Sequence, residues 1–260
     1  ATFDAAFSAW LDARLAPLAK SFAVDLGFFA REPEPYLTKA DAAPNDTKAQ
    51  AEAGLAALGS GDVDKAKAYL AKALALDADQ PEALFARAVM ALGTGDTAAA
   101  RADLGRLVAL GKDGVHVQTQ LADAARRDKD VEALATHLEK AIAADPQAGP
   151  HYYALIEALE SLGREADAYA WRKRAALVDQ NNPALVDALL EGAERFGATV
   201  GEVMRWGELG NHIAPFSDAH HVRYGMALKR LKRSAKARYE AQSALVIDPD
   251  SADAKQLLER

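Results

Sequence analysis

Apolar residues recur at helical spacing along most of the chain, and from residue 47 the apolar and polar positions repeat every 34 residues. Gly61-Asp62 returns as Gly95-Asp96, and the same place in the next two periods holds Lys129-Asp130 and Gly163-Arg164. Each pair separates two stretches whose apolar residues lie three and four apart, the spacing of one helical face. Strand formers are sparse and never alternate for long, so the chain reads as all-α. Self-similarity at this period marks helix–turn–helix arrays that stack into a superhelix.

The first repeat spans 47–80, with helices over 47–58 and 63–77 and a turn over 59–62. Further repeats fall at 81–114, 115–148 and 149–182, with a fifth at 183–217 that has one extra residue and a sixth at 218–251. Residues 252–260 begin a capping helix with a polar outer face, as a terminal repeat requires. Small residues recur where two helices must approach: Gly54, Ala88, Ala122 and Gly225 at the eighth position, with Ile156 and Leu190 in the other two repeats; Ala66, Ala100, Ala168 and Ala237 at the twentieth, with Leu134 and Glu202; Ala73, Ala141, Ala175 and Ala244 at the twenty-seventh, with Leu107 and Leu209. Leu70, Leu74, Leu104, Leu138 and Leu245 fill the space between them. Glycine suits the left-handed turn position, which Gly61, Gly95 and Gly163 supply. Repeat five departs most, with Leu190 and Glu202 at small-residue positions. Its second helix is expected around 199–209, followed by a longer loop over 210–217 (GNHIAPFS).

This pattern resembles the tetratricopeptide repeat family over the chain from residue 47 onward. The family's aromatic at the fourth position appears only as Tyr152, and its late proline only in two of the six repeats. The resemblance implies a right-handed α-solenoid of about six helix hairpins, with a groove lined by first helices and a role in holding other proteins. Carried onto the matching positions, the groove is apolar early, at Leu55, Leu58, Phe85, Val89 and Leu92, and polar later, at Arg126, Arg127, Tyr153 and Glu157. Some family members clamp the carboxylate end of chaperone tails with paired Lys, Asn and Arg; that set is missing from the matching positions of repeats one to three. An apolar trough followed by a polar one suits an amphipathic helix or an extended partner segment. The alternative is that the chain's own N-terminal segment covers Leu55, Phe85 and Val89.

Residues 1–46 break the period. Phe3, Phe7, Trp10, Leu11, Leu15, Leu18 and Phe22 fall on one helical face, interrupted at Pro17. Pro33, Pro35 and Pro44 mark an extended linker after this helical extension. The aromatic segment suits a cap over repeat one, a dimer or partner contact through Phe3, Phe7, Trp10 and Phe22, or occupation of the groove by the chain itself. Asp4, Asp12 and Asp25 offset Arg14, Lys20 and Arg31, which argues against membrane attachment.

Composition narrows the function class. The net charge of −7 with interspersed signs argues against a nucleic-acid binder. No cysteine is present, so disulfides and thiolate metal sites are excluded. No apolar run reaches the roughly 18–20 residues needed to span a bilayer. The alanine-rich, cysteine-free composition suggests a soluble bacterial protein, cytoplasmic or periplasmic. The sequence opens on Ala1, which fits initiator removal, signal cleavage or a longer precursor.

Candidate chemistry is weak. Gly59-Ser60-Gly61 and Gly93-Thr94-Gly95 lie between helices with no preceding strand, so they read as turns and not as phosphate loops. His220 and His221 are neighbours about 100° apart on a helix and cannot easily share a metal. His116, His137 and His151 read as surface or packing residues. Arg223, Lys229, Arg230 and Arg233 lie in a run with no acid between Asp218 and Glu240, a candidate basic face for an acidic segment, a lipid headgroup or nucleic acid. The expectation is a non-catalytic adaptor without cofactor or metal that binds a protein or peptide. The alternatives are a self-assembling structural protein and a regulatory repeat domain of a larger enzyme.

Overall fold

Six junctions between paired helices share one backbone geometry. Past the end of each first helix, within the turn, one residue turns left-handed: Gly61 (φ 82°), Gly95 (φ 84°), Lys129 (φ 59°), Gly163 (φ 71°), Gly197 (φ 67°) and Lys232 (φ 59°). The next amide then reaches back to a carbonyl in the last turn: Asp62 to Ala57 at 2.9 Å, Asp130 to Ala125 at 2.9 Å, Ala198 to Ala193 at 2.7 Å, Arg233 to Leu228 at 2.9 Å. This closes otherwise orphaned helix-end carbonyls. Three second helices are then started by an aspartate side chain that accepts an amide from the first turn, Asp62 from Lys65, Asp96 from Ala99 and Asp130 from Ala133.

The computed structural model of the protein describes residues 6–11, 13 and 32–259. Residues 6–11 are helical. Helix α1 (Glu34–Ala42) precedes the hairpins α2 (Thr47–Gly59) with α3 (Val63–Leu76), α4 (Pro81–Thr94) with α5 (Thr97–Ala109), and α6 (Val115–Arg127) with α7 (Val131–Ala144). These are followed by α8 (Gly149–Ser161) with α9 (Glu165–Val178), α10 (Pro183–Gly192) with α11 (Val200–Ile213), and α12 (Asp218–Arg230) with α13 (Ser234–Ile247). Helix α14 (Ala252–Leu258) closes the series. The fold is all-α; no strand occurs among the described residues. The chain divides into two units, Ala1–His151 and Tyr152–Arg260.

In the first unit the predicted small positions are closed to solvent. Ala66, Ala73, Ala88, Ala100 and Ala141 are each 0% exposed. A Cβ on Gly54 would fall 2.5 Å from Leu70, so only glycine lets α2 approach α3 this closely. One core joins Leu37, Leu55, Leu70 and Tyr69; a second joins Leu84, Phe85, Leu104, Leu107, Val117 and Leu121.

The segment expected to be an extended linker is instead the helix α1. Pro33 is its N-cap and Pro35 lies in its first turn, where a missing amide hydrogen costs nothing. Leu37 and Ala40 are buried, and the buried Gln50 amide donates to the carbonyls of Ala40 and Ala43, at 2.7 and 3.3 Å. Tyr69 Oη donates to Asp41 at 2.8 Å, and Lys39 pairs with Glu52 at 2.9 Å. Helix α1 therefore covers the open side of repeat one.

In the second unit the extra residue of repeat five sits inside the hairpin turn. Helix α10 ends early, and Thr199 becomes the N-cap of α11 in a reciprocal capping box with Glu202. Every later position in α11 shifts by one. The close-approach positions that the repeat frame puts at 202 and 209 fall instead to Val203, 0% exposed, and to the buried Gly210. The loop expected over 210–217 is helical as far as Ile213. At the C-terminal end Ala254 and Leu257 bury α14 against α12 and α13, and Lys229 Nζ donates to the Leu257 carbonyl at 3.2 Å.

Candidate partner-binding groove

In the first unit, α2, α3 and α4 enclose a cleft of about 650 Å³. Leu58, Val63, Val89 and Met90 line it, with Ala91, Gly93 and Thr94 at one end. Its charged rim consists of Lys67 and Arg87. The Arg87 guanidinium forks onto Asp103, Nε at 2.7 Å and Nη2 at 2.6 Å, and that pairing holds its proton more tightly than usual. Lys67 is exposed and meets no carboxylate among the described residues, so its ammonium faces solvent beside the apolar lining.

Leu58 and Val89 are half-buried and line this cleft. Leu55, Phe85 and Leu92 do not: they are 0%, 3% and 3% exposed. These three are corrected from groove to core. Stacked first helices bury apolar side chains between repeats, and Phe85 and Leu92 pack with Leu104, Leu107 and Leu121. Val63, Lys67 and Met90 were missed; Val63, an apolar residue exposed just behind the N-cap Asp62, was the available signal.

The polar part is engaged internally only in part. Arg126 Nη1 donates to Asp123 at 2.8 Å, while Arg127 is exposed without a carboxylate among the described residues. His151 Nε2 lies 3.0 Å from Thr119 Oγ1, and His137 Nδ1 lies 2.9 Å from Gln118 Oε1. Burial holds the imidazoles of His116, His137 and His151 below the usual histidine range.

In the second unit Tyr153 is 37% exposed, but its hydroxyl donates to Asp179 at 2.5 Å and accepts from Asn182 Nδ2 at 3.0 Å. Burial raises the phenol, and the hydrogen bond from Tyr153 lowers Asp179. Tyr153 is a strut between α8 and the connection into α10. Glu157 is exposed on the same helix.

Of the four cations expected to form a basic face, Arg223 and Arg230 are paired with acids. Arg223 bonds Glu191 at 2.5 Å and Asp187 at 3.1 Å, Arg230 bonds Glu194 at 3.1 Å, and Lys229 caps α14. The acids come from the preceding repeat, which stacking places beside α12. Lys229 and Arg233 meet no carboxylate among the described residues. The adjacent histidines diverge: His220 Nδ1 lies 2.7 Å from Asp187 and His221 Nδ1 lies 2.7 Å from Glu240. Each bridges a different pair of helices.

Of the N-terminal aromatics, Phe3 and Phe22 lie outside the described residues. Phe7 and Trp10 are 48% and 54% exposed, their rings stacked with centroids 5.8 Å apart.

The family model described as tetratricopeptide repeat matches residues 47–80, the α2–α3 hairpin. No curated protein matches the sequence. Among solved structures, the chain is similar to the APC/C hetero-tetramer Cut9-Hcn1, with a TM-score of 0.47 and 14% identity over 89% of this chain and 46% of that one. It thus spans under half of that chain's length. PilF of Pseudomonas aeruginosa gives a TM-score of 0.46 and 16% identity, over 82% of this chain and 96% of that one. YrrB, described as a TPR protein with an unusual peptide-binding site, gives 0.41 and 15%, over 88% and 100%.

Proposed function

We propose, from the premise that this chain is a tetratricopeptide repeat protein, that it is a non-catalytic scaffold holding a segment of a partner protein. The cleft between repeats one and two is the anchor site. An apolar side chain of the partner enters between Leu58, Val63, Val89 and Met90, and a neighbouring carboxylate meets Lys67. The observation that supports this reading is the apolar cleft itself, open to solvent beside a cation that no described carboxylate neutralises.

Affinity capture from cells with wild type, Val89→Asp and Ala98→Asp tests it. Ala98 is exposed on α5, away from the cleft. The partner is expected with wild type and Ala98→Asp, and absent with Val89→Asp. A partner retained by Val89→Asp at unchanged affinity by calorimetry defeats the choice of cleft.

A second reading, self-association through the N-terminal aromatics, is favoured by the half-exposed Phe7–Trp10 stack. Light scattering of wild type and of Phe7→Ala with Trp10→Ala discriminates. A monomer in both cases removes this reading.

A further inference from the structure

Helices α9 and α11, the second helices of repeats four and five, flank a cleft of about 520 Å³ that no first-helix residue lines. Its apolar lining comprises Ala170, Ala176, Leu209 and the buried indole of Trp206. Trp206 is 6% exposed and stands edge-on to Tyr169, with centroids 6.3 Å apart. Leu177 sits at the edge, 67% exposed.

The rim is unusual for a chain of net charge −7. It carries Lys173, Arg174 and Arg205 against one carboxylate, Glu202. Glu202 is engaged by the Thr199 amide at 2.9 Å and by Lys173 at 3.1 Å, and these bonds hold its carboxyl below the usual range. Lys173 and Glu202 therefore cancel. The Arg174 guanidinium lies over the Trp171 ring at 4.3 Å, and neither Arg174 nor Arg205 meets a carboxylate among the described residues. The neighbouring arginines behave differently: Arg172 pairs with Glu160 and Arg195 with Glu165.

We propose that this cleft docks a second protein segment, one with an aromatic or branched apolar anchor flanked by carboxylates. The anchor rests on Trp206 and Leu177, and the carboxylates receive the forked donors of Arg174 and Arg205. Arginine and tryptophan beside an exposed apolar residue form the usual energetic centre of a protein contact, and guanidinium matches carboxylate in geometry as well as charge. An exposed edge at Leu177 suits a segment crossing two helices better than an enclosed small molecule. The site is independent of the cleft between repeats one and two.

The test uses the full chain and a fluorescein-labelled peptide, Glu-Asp-Leu-Phe-Glu-Asp, followed by anisotropy at low salt. Lys-Lys-Leu-Phe-Lys-Lys is the charge-inverted comparison. The acidic peptide is expected to bind and the basic one not. Arg174→Glu with Arg205→Glu is expected to weaken binding by about tenfold or more. Leu177→Ser is expected to weaken it without a change in charge, and it decides the matter should the double reversal unfold the unit by circular dichroism. Reversing Arg233 and Arg238 is expected to leave affinity within about twofold. No binding by wild type overturns the proposal. So does an equal loss from reversing Arg233 and Arg238, which marks diffuse attraction, or full affinity in Leu177→Ser. Val89→Asp leaves this binding unchanged, so failure here and failure of the first cleft are separate results.

Discussion

The imidazole of His220 stands where a side chain on residue 210 would have to be: a Cβ built on Gly210 falls 1.9 Å from the ring. The ring cannot yield, because its Nδ1 lies 2.7 Å from Asp187 and its Nε2 lies 3.1 Å from the Gly207 carbonyl. One turn earlier, a Cβ on Gly207 would fall 2.2 Å from Tyr224, which is 0% exposed. Repeat six is seated on repeat five through these two glycines.

Gly210→Ala and Gly207→Ala are accordingly expected to overpack this contact and to destabilise the second unit by roughly 1–3 kcal/mol each, or more. Gly105, with nothing within 4 Å of its would-be Cβ, is the counter-case: Gly105→Ala is expected to gain roughly 0.5–1 kcal/mol. Urea denaturation of the three variants checks both signs, and a stabilised Gly210→Ala contradicts the packing described.

Ala66→Leu and Ala100→Leu place three extra carbons where no solvent reaches, and each is expected to cost roughly 1–3 kcal/mol. Ala98→Leu, on the exposed side of α5, is expected to change stability by less than about 0.5 kcal/mol. Equal shifts in denaturation midpoint for Ala98 and Ala100 would mean that the helix faces are misassigned.

Lys129 and Lys232 hold the left-handed junction that glycine holds in four other hairpins. A left-handed non-glycine residue costs roughly 1–2 kcal/mol, and glycine returns part of that through chain entropy. Lys129→Gly and Lys232→Gly are each expected to raise stability by up to about 1 kcal/mol, whereas Gly95→Ala lowers it by a similar amount. Thermal melts of the three single variants decide this.

The half-buried histidines of the first unit predict an acid-side loss. Burial lowers the folded-state pKa of His116, His137 and His151, so the unfolded chain binds more protons than the fold as pH falls through about 6.5. Their contribution to stability is complete above that value and declines between it and the depressed folded-state values. Melting temperature of the first unit is expected to fall from pH 7.5 to pH 5.5, and His137→Gln is expected to flatten the slope. A melting temperature that rises on acidification contradicts the burial of these rings.

How far the groove could be read from the chain is best seen at the ninth repeat position. Leu55 and Val89 occupy it in consecutive repeats, yet Leu55 is sealed and Val89 lines the open cleft. Nothing in either residue's neighbours along the chain distinguishes them. Helix α1, whose prolines read as a linker, packs against repeat one and joins the core that contains Leu55. In repeat five the extra residue was visible, but whether it lengthened the turn or the following loop was decided by Thr199 and Glu202 closing a capping box.

By itself the sequence determined the paired helices of the repeats and where the first helix of each starts: α2, α4, α6, α8, α10 and α12 begin at 47, 81, 115, 149, 183 and 218, where the repeat frame begins. Those features rest on helical periodicity, aspartate caps and left-handed turns, all set by residues within about one turn of each other. Only the tertiary structure decided which apolar side chains stay open and which charges remain free. Arg223 finds Asp187 across 36 residues and Lys236 finds Glu208 across 28, distances at which stacking and not sequence neighbourhood makes two groups adjacent.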